Sequence, residues 1–238
     1  MGEDYIAIYR RTGAFIRALP LIAALPLFVQ ILQRGLIAAE LIRLSQAMEF
    51  RVAMAVLNTL AMLVVSVIAI RWWRFGGDLA RVWRIGPRVL VGAAAMIAIQ
   101  LTDEYLFTRA GQFAADLAGR PRVLFVPVAL LMWLFVSVPL FPWYVALLTG
   151  DRSLGFRQAV AAVRPWWLRG FLLVSGAFLQ LVVIGTALRV VMLMRFAGGG
   201  PGAWVLQIGM MLLVPLLILV TASAYFAIYR RVVPVGDT

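Results

Sequence analysis

The sequence predicts an all-α fold: a polytopic integral membrane protein, a bundle of about six transmembrane helices with short interfacial helices, forming a single domain over residues 1–238. Three observations predict it. Of 238 residues, 64% are hydrophobic and 13% charged, against roughly 45–50% and about 25% in a soluble domain. The apolar residues fall in long unbroken runs, without the alternation of lipid-facing and lumen-facing residues that a transmembrane strand carries. Seven tryptophans (Trp72, Trp73, Trp83, Trp143, Trp166, Trp167 and Trp204) fall near the ends of those runs, where indole settles at headgroup level.

Crossing the hydrocarbon takes roughly 20 mostly apolar residues in a helix, and six stretches supply them. The first covers about Gly13–Leu32 and holds Pro20 and Pro26. The polar start, with Arg10, Arg11 and Arg17, does not have the layout of a cleavable signal peptide, so this run is expected to be retained. Its prolines also suit a kinked or tilted helix. The stretch after it, Leu36–Phe50, carries Leu36, Ile37, Leu41, Leu44 and Met48 at spacings that fit an amphipathic helix in the interface or an extension of the second span. The second span covers about Val52–Ile70 and closes on Arg71-Trp72-Trp73-Arg74. The third covers about Val89–Phe107. The fourth, about Val123–Leu148, holds Pro127, Pro139 and Pro142. The fifth covers about Leu168–Met194, and the sixth, about Trp204–Tyr229, holds Pro215.

Arginine sets the orientation. Fourteen arginines fall on one side of these spans (Arg10, Arg11, Arg17, Arg71, Arg74, Arg81, Arg84, Arg88, Arg152, Arg157, Arg164, Arg169, Arg230 and Arg231) and eight on the other. Basic loops stay inside, which predicts cytoplasmic N- and C-termini. Two of the cytoplasmic loops are alike. Arg71–Arg88 and Thr149–Arg169 each hold a Gly-Asp turn, a short arginine-bearing stretch, then Trp and Pro before the next span. In the second, Phe156, Val160 and Val163 share a helical face with Arg157 and Arg164 beside it. That pattern fits a short interfacial helix, and the likeness predicts two parallel helix hairpins. The expected partners are membrane lipids, with anionic headgroups meeting Arg71, Arg74, Arg81, Arg84, Arg88, Arg152, Arg157, Arg164 and Arg169. A protein partner or a second copy is compatible with the pattern; nucleic acid is not expected.

The residue inventory argues against catalysis. The chain has no Cys, no His and no Lys; all 22 basic residues are Arg, and the net charge is +12. Thiolate nucleophiles, imidazole bases and lysine Schiff bases are therefore excluded. No cofactor and no metal are expected. None of the ten acidic residues falls in the middle of a predicted span. Asp103 and Glu104, adjacent on a helix, point about 100° apart and do not form a carboxylate pair. Their expected role is pairing with an arginine. Arg189, inside the apolar run Leu181–Met194, is expected either to snorkel or to pair with Asp103 or Glu104. Asn58, Gln100, Gln180 and Gln207 are expected to link helices through hydrogen bonds of about 0.6 kcal/mol. Alternatively, with Arg189, they line a cavity of a small transporter or lipid-handling protein.

Pro139-Leu-Phe-Pro-Trp-Tyr-Val-Ala-Leu-Leu-Thr-Gly150, the Phe156–Trp167 segment and the closing Ala224-Tyr-Phe-Ala-Ile-Tyr-Arg-Arg231 resemble the membrane domain attached to some bacterial glycerophosphodiester phosphodiesterases. They also resemble related small six-helix bacterial membrane proteins of unknown function. The resemblance covers the C-terminal half. It implies a multi-pass protein of the bacterial inner (plasma) membrane. It implies no activity, because the metal-binding Glu and His residues of the phosphodiesterase domain have no counterpart in this sequence. The function expected from the whole reading is non-enzymatic: membrane organisation, or service as the membrane partner of another protein.

Overall fold

A computed structural model describes residues 2–38, 47–98, 102, 131–195 and 200–233; these are helices joined by short turns, with no strands among them. In chain order the helices are α1 (Gly2–Ala18), α2 (Pro20–Ala23), α3 (Leu25–Ala38), α4 (Ala47–Arg74), α5 (Leu79–Trp83), α6 (Pro87–Ala98), α7 (Leu131–Ser137), α8 (Leu140–Thr149), α9 (Phe156–Val163), a 3-10 turn (Arg164–Trp166), α10 (Trp167–Arg195) and α11 (Pro201–Val232). Three stretches are long and apolar enough to cross a membrane: Ala53–Arg74, Phe156–Met192 and Gly202–Val232, with mean hydropathies of 2.4, 2.2 and 2.4. A fourth exists if α7 and α8, bent by 59°, count as one span.

These three are the stretches where sequence dictates structure most simply. Helices α4, α10 and α11 run for 28, 29 and 32 residues, or roughly 42–48 Å at 1.5 Å per residue. Pro215 is accommodated inside α11. Large apolar side chains such as Val56, Leu60 and Val64 on α4, Leu172, Leu179 and Val183 on α10, and Val205, Ile208 and Leu212 on α11 stay exposed on the chain. Water would penalise that surface at about 25 cal/mol per Å²; lipid does not.

The expected single helix Gly13–Leu32 does not form, and its prolines are the reason. Pro20 starts α2 and Leu19 before it leaves the helical region (φ −135°, ψ 59°), so α1 ends at Ala18. Ala24 separates α2 from α3. The 14 residues of α3 reach only about 21 Å, short of a hydrocarbon core of about 30 Å. Pro139 acts alike in the expected span Val123–Leu148: the helix breaks between Ser137 and Leu140 and bends there. Of the expected span Val89–Phe107, the described part is α6; Gln100, Asp103 and Glu104 lie outside the described residues, as does most of the interfacial segment after α3.

The chain separates into two compact units, Met1–Gly77 with Gly176–Ser223, and Asp78–Ser175 with Ala224–Thr238. Helices α10 and α11 contribute residues to both. In the first unit, α1 buries Ile8, Thr12 and Phe15, an i, i+4, i+7 stripe. Phe15 meets Trp72 and Trp73 edge-on at 5.8 and 6.0 Å. The Trp73 indole donates to the Arg11 carbonyl at 3.2 Å. Ser223 Oγ donates to the Ile8 carbonyl at 3.3 Å, and the Tyr9 hydroxyl donates to Gln180 Oε1 at 2.8 Å.

In the second unit, glycine sets the helix approach. A Cβ on Gly92 of α6 would lie 2.9 Å from Leu147 Cβ and 3.1 Å from the Leu148 backbone nitrogen. A Cβ on Gly170 of α10 would lie 3.0 Å from Val138 Cγ1. Trp167 Nε1 donates to the Phe135 carbonyl at 2.6 Å, and Phe141 stacks on Tyr225 at 3.8 Å.

Candidate functional site

The two basic loops are built on one plan. Each opens where an apolar helix ends on a glycine with positive φ, Gly77 (+89°) after α4 and Gly150 (+74°) after α8. Glycine reaches that region without steric cost. An aspartate follows each glycine and turns its carboxylate onto the chain ahead. Asp78 Oδ1 accepts from the backbone N–H groups of Ala80 and Arg81, capping α5. Asp151 Oδ1 accepts from Ser153 N and Oγ at 2.8 and 2.7 Å. A short helix comes next (α5, α9), then Pro87 or Pro165 near the start of the following helix. Five residues beyond each proline stands the close-packed glycine, Gly92 or Gly170. That shared spacing is the signal sequence reading passed over.

The second loop carries more structure. Asp151 Oδ2 accepts from the hydroxyl of Tyr229 on α11, and Arg88 Nη1 donates to the Asp151 carbonyl at 3.2 Å. One aspartate thus ties the end of α8, the start of α6 and α11 together. Helix α9 buries Ala159 and Val163. Phe156 meets Trp143 edge-on at 5.5 Å. The opposite flank of α9 opens on a cavity of about 410 Å³ lined by Phe156, Arg157, Val160, Ala161, Arg164 and Trp167. Beside it, the guanidinium groups of Arg169 and Arg231 lie 5.1 and 5.8 Å from the Trp166 ring, a cation–π pairing that fixes both charges at one place.

Of the nine arginines expected to meet lipid, six are exposed: Arg81, Arg84, Arg152, Arg157, Arg164 and Arg169. Arg81 also pairs with Asp78 at 3.3 Å, an exposed contact worth little. Arg74 and Arg88 are half-buried. Arg71 departs from the expectation: it is 3% exposed, with its guanidinium 5.1 Å from the centre of the Phe75 ring. It belongs to the packing at the end of α4 rather than to the headgroup surface. Its place one residue past an apolar run misled the sequence reading, because the outward turn of the chain begins only at Phe75–Gly77.

Among the described residues, Asn58, Gln180, Arg189 and Gln207 share no hydrogen bond with one another. Gln180 is engaged by Tyr9. Asn58 Nδ2 lies 4.0 Å from Met62 Sδ one turn on, and its buried Oδ1 has no hydrogen-bond partner among the described residues. Arg189 is exposed on α10 and Gln207 half-buried on α11. A second cavity, about 210 Å³ between α10 and α11, is lined by apolar residues such as Leu181, Gly185, Met210 and Leu217. Neither cavity is lined by Asn58, Gln180, Arg189 or Gln207. Among the described residues no three acidic side chains converge as a metal site would need.

The hydroxyl bond to Gln180 is the polar link most open to direct test. Tyr9→Phe is expected to lower thermal stability in detergent by about 0.5–1 kcal/mol, the size of a polar link between membrane helices. An unchanged melting temperature would mean that α1 is not held at Gln180.

The fold and site together define a class: a helical protein with membrane-length helices and two like-built basic turns. Compared with known family models, curated proteins and solved structures, the chain matches none.

Proposed function

We propose that this chain is a non-enzymatic protein of the bacterial inner membrane, organising that membrane or serving as the membrane partner of another protein. In this reading it is a multi-pass protein with both termini cytoplasmic, and its two like-built loops meet anionic headgroups. The observation that supports it most is the display of six exposed arginines on those turns, at the ends of apolar helices. Each arginine near an anionic surface contributes about 1 kcal/mol, and guanidinium matches phosphate in two-pronged geometry. The resemblance of the C-terminal half to small bacterial membrane proteins points the same way.

The full chain, reconstituted in vesicles of mixed phosphatidylcholine and dye-labelled phosphatidylglycerol, tests this reading. Energy transfer from the tryptophans is expected to report phosphatidylglycerol enrichment around the protein. Substituting all six exposed arginines by Gln is expected to cut that enrichment at least threefold, and raised salt to weaken it. Equal transfer in wild type and variant would overturn the proposal. The absence of native cysteine also gives a clean test of sidedness. A membrane-impermeant maleimide is expected to label Arg152→Cys from the cytoplasmic face and Gly198→Cys from the other.

A further inference from the structure

The groove along α9 has the makings of a site for one particular lipid molecule rather than a share of a diffuse surface. Its floor is apolar: Phe156, Val160, Ala161 and Trp167. Its volume, about 410 Å³, falls within the range of small-molecule sites, about 300–1,000 Å³. Two guanidinium groups stand on it, Arg157 and Arg164, seven residues and hence about two helical turns apart on one flank. Neither makes a hydrogen bond or ion pair among the described residues. The loop's acidic residue, Asp151, already accepts from Ser153 and Tyr229. Two uncompensated positive charges therefore border an apolar trough. The trough ends at Trp167, the first residue of a 29-residue apolar helix whose Leu168 and Leu172 remain exposed.

That combination selects its occupant by chemistry. A free anion would satisfy the arginines and leave the floor bare. A hydrocarbon chain alone would leave the charges unanswered. An anionic phospholipid answers both. We propose that the α9 groove binds one anionic phospholipid, its phosphate between Arg157 and Arg164 and one acyl chain over Val160 and Trp167 toward α10. This rests on the membrane reading above and narrows it from an electrostatic surface to a stoichiometric site.

The test is native mass spectrometry of the full chain in detergent, titrated with phosphatidylglycerol, with phosphatidylcholine of the same chains, and with glycerol phosphate. Wild type is expected to retain one phosphatidylglycerol at least fivefold more readily than phosphatidylcholine. Excess glycerol phosphate is expected not to displace it. Two variants fill the floor and keep every charge, Val160→Trp and, at an exposed position, Ala161→Phe; both are expected to lose the single retained lipid. Arg157→Gln with Arg164→Gln is expected to lose the preference for phosphatidylglycerol. Retention unchanged in the filled variants, equal retention of the two lipids, or displacement by glycerol phosphate would each overturn the site. The vesicle measurement separates this from the broader reading. The filled variants keep all six arginines, so they are expected to enrich phosphatidylglycerol as wild type does. Retention of one lipid without enrichment would reject the surface reading and keep the groove.

Discussion

Gly92→Ala is expected to destabilise the chain by about 1–3 kcal/mol, lowering its melting temperature in detergent by roughly 2–12 °C. The sign is the informative part. Inside a helix, alanine is usually better than glycine by about 1 kcal/mol, because it restricts the unfolded chain and not the folded one. At Gly92 that gain is overrun. The new Cβ would sit 2.9 Å from Leu147 Cβ and 3.1 Å from the backbone nitrogen of Leu148. Neither atom is the tip of a flexible side chain, so α6 and α8 must separate. At Gly170 the nearest atom is a methyl of Val138 at 3.0 Å, which turns away more easily, so Gly170→Ala is expected to cost less. Gly13, in α1, has no atom within 4 Å of its Cβ position, and Gly13→Ala is expected to be neutral or stabilising. Thermal unfolding of the three variants gives the order directly. A Gly92→Ala protein as stable as Gly13→Ala would mean that α6 and α8 do not approach as described.

The second large effect is expected at Tyr229. This side chain is 1% exposed, and its hydroxyl donates to the Asp151 carboxylate. Hydrogen bonds to a charged acceptor contribute about 1.5–3 kcal/mol, and the half-buried Asp151 keeps its Ser153 donors when this one is lost. Tyr229→Phe is expected to lower stability by about 2 kcal/mol. Asp151→Ala is expected to lower it further, because the Ser153 turn goes with it. In the double variant the losses are expected to fall short of additivity by about 1–2 kcal/mol, the signature of a shared contact. Strict additivity would show that the two residues do not act on each other.

How much of this the sequence disclosed depends on whether the cause is local. The cores of α4, α10 and α11 were plain, because a helix that is apolar on every side needs no partner to declare itself. The ends followed closely only for α10, which starts one residue before the expected Leu168 and ends one after Met194; α4 and α11 overrun their expected spans by three to five residues at each end. The breaks were half legible. Pro20, Pro26 and Pro139 marked where strain would fall, but whether a helix carries a proline, as α11 carries Pro215, or ends before one, as α1 does before Pro20, is decided by neighbours. Pairings across long separations were not legible at all. Nothing in the run around Gln180 announces Tyr9, which is 171 residues away: a glutamine in an apolar helix predicts a hydrogen bond between helices, but not the residue that makes it. Arg71 shows the opposite error: a local rule placed it at the headgroups, while packing placed it inside. The site was legible as two basic loops with like turns. The Asp151–Tyr229 tie and the seat of Arg231 on Trp166 depend on α11 returning to the loop.

The contacts of α1 carry a consequence for the making of the protein. Helix α1 lodges Ile8 against Ser223 and Tyr9 against Gln180, across separations of 215 and 171 residues. At synthesis rates of about 5–20 residues per second, the partner of Ile8 emerges roughly 10–40 s after Ile8 itself. Throughout that interval α1 can meet α4, where Phe15 and the Arg11 carbonyl touch Trp72 and Trp73, before the Gln180 and Ser223 that hold Tyr9 and Ile8 have both been made. Helix α1 is thus made early and seated in two stages, on α4 first and against α10 and α11 only once Ser223 has left the ribosome.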